Sequence, residues 1–171
     1  KAKQLLSDAG YANGLEITLT VPSNYQYHMD TAQVIVEQLK KVGVTAKIEP
    51  VEWATWLSDV YKGRDYQATV VGLDFNLAPS DVVKRYQSTA SNNFVNYVNE
   101  SYDATFAVAL AAVDEQEKIA AYKDLQKFLY EDAASVYIQD PALLTAVSKE
   151  LGGYTFYPVY VQDMSLVYYV K

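Results

Sequence analysis

Alternation of apolar and polar residues marks three short stretches in the first half of the chain, and 3–4 spacing of apolar residues marks the stretches between them. Period-two alternation is typical of strands, and 3–4 spacing is typical of amphipathic helices. The predicted helices cover residues 2–9, 30–43 and 53–61, and the predicted strands cover residues 15–21, 44–51 and 66–71. This order predicts an α/β fold with a mostly parallel sheet flanked by helices.

The second half of the chain is predicted to be mainly helical until it reaches an aromatic tail. A short helix from Pro79 is followed by a polar loop over residues 87–99, and two helices separated near Asp114 occupy residues 102–130. A further strand is expected over residues 135–139. A buried stripe is expected on the second of the two helices, formed by Ile119, Tyr122, Leu125, Phe128 and Leu129. The carboxyl-terminal tail is rich in tyrosine and is expected to be extended.

Composition excludes some classes of partner and leaves others open. The chain has 14 basic and 21 acidic residues, for a net charge of −7, which opposes binding to nucleic acid. No stretch approaches the roughly 18 apolar residues that a membrane-spanning helix needs. The 16 tyrosines combine apolar area with a polar tip, which suits ligand clefts as well as ordinary strands.

Catalytic and metal chemistry find little support in the residues. The chain lacks cysteine and has one histidine, His28, so the usual transition-metal sites lack ligands, and no metal or cofactor is expected. Neither a nucleophile elbow nor a glycine-rich nucleotide motif occurs. The carboxylates Asp74 and Asp81 leave one enzymatic alternative open, a carboxylate-dependent glycan hydrolase.

A ligand site is predicted beyond the carboxyl ends of the three strands, because loops converge there in open parallel sheets. Aromatic residues and a few polar groups in these loops are typical of the lining of a small-molecule cleft. The candidates are Tyr25, Tyr27 and His28 after the first strand, Trp53 and Trp56 after the second, and Asp74, Phe75 and Asn76 after the third.

Four of these candidates also have a structural alternative. Trp53 and Trp56 serve equally well as packing between helix and sheet, and His28 serves as a surface or helix-capping residue. Asp74 is placed either to pair with a ligand ammonium group or to accept hydrogen bonds from backbone amides in a turn. The residues alone leave these alternatives open.

Several short stretches, in this order and spacing, resemble the extracytoplasmic solute-binding proteins of the peptide, nickel and opine ABC importer family, family 5 of the bacterial extracellular solute-binding proteins. The similarity extends along the chain. The stretches are residues 2–11, Asn13-Gly14-Leu15, residues 37–44, Gly63-Arg64-Asp65-Tyr66, residues 72–81, Asn96-Tyr97 before Tyr102-Asp103, and residues 133–138.

The resemblance implies a lobe of the type II periplasmic-binding-protein fold, from a two-lobe receptor that feeds an ABC permease outside the cytoplasm. Residues 1–147 would be the carboxyl-terminal, ligand-binding lobe, and residues 148–171 a crossover tail toward the amino-terminal lobe of the same parent chain. The chain would then be a fragment, and any attachment to a membrane would run through a lipid anchor of the parent. No enzymatic activity is expected.

The resemblance also implies a peptide-like solute. Peptide binders of the family anchor the ligand's amino terminus with an aspartate that falls on Asp74, although Leu73 stands where a tryptophan often follows the glycine of that loop. Oligosaccharides, nickel complexes and opines are alternative solutes within the family. An interaction module that docks another protein through its tyrosines is the alternative from a different class.

Overall fold

The computed structural model describes residues 1–74, 77–140, 144–157 and 162–170. They fall into two compact units. The first unit comprises Lys1–Asp74 and Ser88–Tyr97, and the second comprises the described residues of Phe75–Gln87 and Val98–Lys171. The predicted assignment of residues 1–147 to a binding lobe and 148–171 to a crossover tail stays a prediction.

The first unit contains the strand and helix alternation that the sequence predicts. Its elements are helix α1 (Ala2–Asp8), strand β1 (Leu15–Pro22), helix α2 (Gln26–Lys40), strand β2 (Val44–Val51), the single turn α3 (Trp53–Thr55), a π-helix (Trp56–Lys62) that continues it, and strand β3 (Ala68–Thr69).

The three strands form a parallel sheet in the order β2-β1-β3. β1 and β2 pair over eight residues, from Leu15 opposite Val44 to Pro22 opposite Val51. β3 is shorter than predicted, and just before its start a side chain takes the place of the ladder: the Gln67 Oε1 accepts the Thr18 N–H at 2.7 Å. The predicted parallel sheet is confirmed, with a shorter third strand.

Apolar side chains of the first unit form two buried clusters, one of them on a face of this sheet. Alternate residues of a strand point to opposite faces, and Leu19 and Val21 of β1 meet Ala32 of α2 in one buried cluster. A second cluster forms around Trp56 and Phe94. Trp56 and its π-helix therefore anchor a second apolar layer in the unit.

Helix α2 begins four residues earlier than predicted. Its first residue is Gln26 and its N-cap is Tyr25, so Asp30 lies inside the helix, where its carboxylate accepts a hydrogen bond from the Gln26 side chain at 2.8 Å. The added first turn lacks a regular apolar pattern. It forms because His28 is buried within the fold. Tyr27 and His28 therefore lie on a helix and not in the predicted loop.

The second unit is built mainly from three helices, α4 (Pro79–Lys84), α5 (Glu100–Ala111) and α6 (Glu115–Glu131). The predicted break near Asp114 is confirmed, because its carboxylate caps α6 by accepting the Glu117 N–H at 2.9 Å. On α6, Leu125 and Leu129 are buried as part of the predicted stripe, whereas Ile119 is 39% exposed.

The predicted strand over residues 135–139 is wrong for the structure as described. A strand needs a ladder of backbone hydrogen bonds to a neighbouring strand, and among the described residues this segment forms no such ladder. Its Val136 is 84% exposed. Farther along, β4 (Leu151–Gly152) and β5 (Tyr168–Tyr169) form a short antiparallel pair. This pair agrees with the prediction that the tail is extended and rich in aromatic residues.

The packing of α6 yields a stability prediction. Leu125 is fully buried, so Leu125→Ala should lower the free energy of unfolding by about 2–5 kcal/mol through lost apolar contact and a residual cavity. The same change at Leu110, which is 57% exposed on α5, should cost less than about 0.5 kcal/mol. Urea unfolding of both variants checks this, and equal losses would contradict the assigned core.

Candidate functional site

The loops after β1 and β2 are joined at the carboxyl edge of the sheet. The Ser23 N–H and hydroxyl both donate to the Val51 carbonyl, at 2.9 and 3.0 Å. The Asn24 side-chain oxygen accepts the N–H of Trp53, the first residue of α3, at 2.9 Å. These bonds place the start of α2 beside the start of α3, as the parallel topology predicts.

Three aromatic side chains, which we call the aromatic wall, lie at this edge: Tyr25, Tyr27 and Trp53. The Tyr25 ring meets the edge of Trp53 at a centroid distance of 5.6 Å and lies 5.8 Å from Tyr27. Tyr25 and Tyr27 are 37% and 52% exposed, and Trp53 is half-buried. The wall therefore keeps aromatic surface that a ligand could cover.

Trp56 supports this wall from beneath. Its ring stacks on Trp53 at 5.1 Å with an interplanar angle of 4°, and it is 1% exposed. The indole N–H donates to the Thr69 hydroxyl at 3.0 Å, and that hydroxyl donates to the Thr20 carbonyl at 2.6 Å. The structure thus gives Trp56 the packing position that was one of its two alternatives, and Thr69 is a supporting residue that the sequence did not single out.

His28 connects α2 with the loop that follows β3. The side chain is 4% exposed, and its Nε2 accepts the Gly72 N–H at 2.6 Å. Its ring lies 5.1 Å from Tyr25 and 4.2 Å from Tyr27. Burial lowers the pKa of His28 below its ordinary value of 6.5, which favours the neutral ring.

Asp74 follows Gly72 by two residues in this third loop, and its side chain is exposed. The chain geometry keeps its Cα within about 7 Å of the Gly72 Cα. The other two candidates of the loop, Phe75 and Asn76, lie outside the described residues. The structure therefore places six of the eight candidates and brings the segments that carry them to one edge of the sheet.

A separate polar cavity of about 450 Å³ lies in the first unit. Side chains of β1, β2, the π-helix and the segment that follows it line this cavity. This cavity was not predicted from the sequence, in which the alternating Thr18 and Thr20 of β1 were the available signal. Its lining residues are Thr18, Thr20, Glu49, Val51, Thr55, Asp59, Val60, Arg64, Asp65, Tyr66 and Gln67.

The residues that the structure describes contain neither a cluster of metal ligands nor a helix that could span a membrane. No cluster of three or more histidine, cysteine or carboxylate side chains suited to a metal ion occurs there. Within those residues, every helix is too short or too polar to cross a bilayer.

Comparison with known proteins places the chain in a family. The model of the bacterial extracellular solute-binding proteins, family 5 Middle, matches residues 1–95. The glutathione-binding protein GsiB of Pectobacterium atrosepticum is 29% identical over 170 residues, which cover 92% of this chain and 33% of that protein. The oligopeptide-binding protein AppA of Bacillus subtilis is 27% identical over 173 residues, which cover 92% of this chain and 32% of that protein.

A solved structure shows the same fold. The structure of Haemophilus influenzae OppA in complex with RPPGFSPFR matches with a TM-score of 0.70 and 28% identity, over 77% of this chain and 26% of that one. The predicted fold class, a lobe of the periplasmic-binding-protein type, is confirmed. The chain spans about a third of the length of the curated relatives that it matches. Because the family model covers more than half of its residues, the chain belongs to the bacterial extracellular solute-binding proteins, family 5.

Proposed function

We propose that this chain is the carboxyl-terminal lobe of an extracytoplasmic receptor that captures peptide-like solutes for an ABC importer. The observation that carries the proposal is the convergence of three loops at the carboxyl edge of the parallel sheet. There the aromatic wall stands next to the loop that contains Asp74. The relatives GsiB and AppA are named for binding glutathione and oligopeptides, which supports a peptide-like solute.

The chemistry of the edge suits the amino-terminal part of a peptide. Aromatic faces of Tyr25 and Trp53 would cover apolar side-chain surface, and the Asp74 carboxylate would accept charge-assisted hydrogen bonds from a ligand ammonium group. A neutral sugar would use the same aromatic faces but would offer no ammonium group to the Asp74 carboxylate. The carboxylate therefore favours peptides over oligosaccharides.

We infer a binding role and not a catalytic one. His28 is the single histidine of the chain, and its Nε2 is occupied by the Gly72 N–H. A histidine in this position is not available as the general base of a nucleophilic hydroxyl. The names of the relatives also describe binding proteins.

Transport requires parts beyond this chain. The amino-terminal lobe of the same parent would supply the other wall of the cleft, and closure would trap the solute because the closed state makes contacts to both lobes. An ABC permease would then accept the solute at the outer face of the membrane. A lipid anchor of the parent would account for attachment to that membrane.

Asp74 provides the first test. In the full-length protein, Asp74→Asn should weaken binding of trialanine by about ten- to a hundredfold, because a charge-assisted hydrogen bond contributes about 1.5–3 kcal/mol. N-acetyl-trialanine, which lacks the ammonium group, should bind weakly and equally to both proteins. Isothermal titration calorimetry measures these affinities.

Asp124→Asn is the matched control, because Asp124 is an exposed carboxylate on α6. It should leave trialanine binding unchanged while altering net charge by the same amount. Equal affinity of the wild-type and Asp74→Asn proteins for trialanine would contradict the assigned anchor.

The two-lobe arrangement provides a second test. The isolated chain of 171 residues should bind trialanine with a dissociation constant of about 1 mM or weaker, because most ligand contacts would be missing. The full-length protein should bind at least about a hundredfold more tightly. Micromolar binding by the isolated chain would show that one lobe forms a complete site.

A further inference from the structure

The loop after β3 depends on few backbone contacts with the sheet. β3 pairs with β1 through two residues, Ala68 and Thr69, and the loop that contains Asp74 leaves the sheet soon afterwards. Three residues beyond β3, the Gly72 N–H donates to His28 Nε2 at 2.6 Å. This bond attaches the loop to the first turn of α2.

The loop backbone approaches His28 closely at Gly72. A methyl group added at the Gly72 Cα would lie 3.0 Å from His28 Nε2 and 3.6 Å from the Tyr27 hydroxyl. A side chain at this position would push the loop away from α2. The absence of a side chain at Gly72 is therefore part of the same attachment.

The hydrogen bond fixes the tautomer of His28. Because Nε2 accepts the hydrogen bond from the Gly72 N–H, the ring proton of the neutral imidazole resides on Nδ1. Nδ1 is buried and has no hydrogen-bond partner among the described residues. A second proton on Nε2 would face the Gly72 N–H, and two donors cannot form a hydrogen bond.

We propose that His28 is a positioning residue of the solute site, whose neutral Nε2 holds Gly72 and thereby sets the place of Asp74 relative to the aromatic wall. This inference rests on the proposed function, since it assigns His28 a role in a peptide site. His28 touches no solute in this account. It acts through the backbone of the loop.

Protonation should release the loop. The groups that face the ring are the phenols of Tyr25 and Tyr27 on its own turn and the Gly72 backbone, with Asp74 on the same loop. The pKa of His28 is lowered by burial and not by a neighbouring charge. The attachment should be complete above about pH 6.5 and should be lost as the pH falls through the lowered pKa.

Substitutions of His28 in the full-length protein test the inference with trialanine and glutathione as probes. His28→Leu removes the hydrogen-bond acceptor. At neutral pH it should weaken binding by about tenfold for whichever probe the wild type binds. His28→Gln places an amide oxygen near the Nε2 position and should bind within about twofold of wild type. Only the wild type should lose affinity, by about tenfold, when the pH is lowered from about 7.5 to about 5.

A double-variant cycle separates the contact from a general loss of folding. Gly72→Ala should weaken binding by about as much as His28→Leu, and the two changes together should cost little more than either one, because both break the same attachment. Val34→Ala, at an exposed position on α2, is the matched control and should change nothing. Fully additive losses in the double variant would overturn the proposal.

Amide hydrogen exchange of the unliganded protein gives a readout that needs no solute. The Gly72 amide should exchange slowly at neutral pH in the wild type and at least about tenfold faster in His28→Leu, while the Leu19 amide in β1 stays protected in both. Gly72 exchange that is fast in the wild type, or unchanged by His28→Leu, would overturn the positioning role. Slow, His28-dependent exchange in a protein that binds neither probe would instead count against the peptide site.

Discussion

The parallel register between β1 and β2 is the constraint on which the rest of the first unit depends. Eight consecutive pairs, from Leu15–Val44 to Pro22–Val51, end both strands at the same edge. The chain must then leave the sheet twice at neighbouring points, and the Ser23 and Asn24 hydrogen bonds join the two exits. The aromatic wall is a direct consequence, because Tyr25 and Trp53 start the two helices that leave from this edge.

Side-chain hydrogen bonds connect the third strand to β1 and to the π-helix. Thr69 donates to the Thr20 carbonyl and accepts the Trp56 indole N–H, so a single hydroxyl joins β1, β3 and the π-helix. Trp56 then stacks beneath Trp53. A buried tryptophan with its N–H satisfied gives the wall a rigid support, and rigidity lowers the entropic cost of binding a solute.

The sequence predicted the elements whose pattern is local. β1, β2 and α6 follow from period-two or 3–4 spacing within their own residues, and Asp114 caps α6 as expected. The start of α2 was missed because its first turn is stabilised by the burial of His28, which is a tertiary effect. The strand over 135–139 was overpredicted because apolar alternation indicates a strand without supplying its partner.

The candidate site could be predicted only in part, because some of its contacts follow from the topology and others join distant residues. Parallel topology alone requires the three loops to converge, so their residues could be named from the sequence. The bond between His28 and Gly72 joins residues 44 positions apart, and no local pattern indicates it. The supporting role of Trp56 likewise follows from its contacts and not from its place in the sequence.

Mass spectrometry of the solutes that co-purify with the full-length protein tests the central claim most directly. The proposed two-lobe cleft would retain its solute, and release on mild denaturation should yield a set of short peptides with free amino termini. Recovery of oligosaccharides or metal complexes in place of peptides would contradict the proposed solute class.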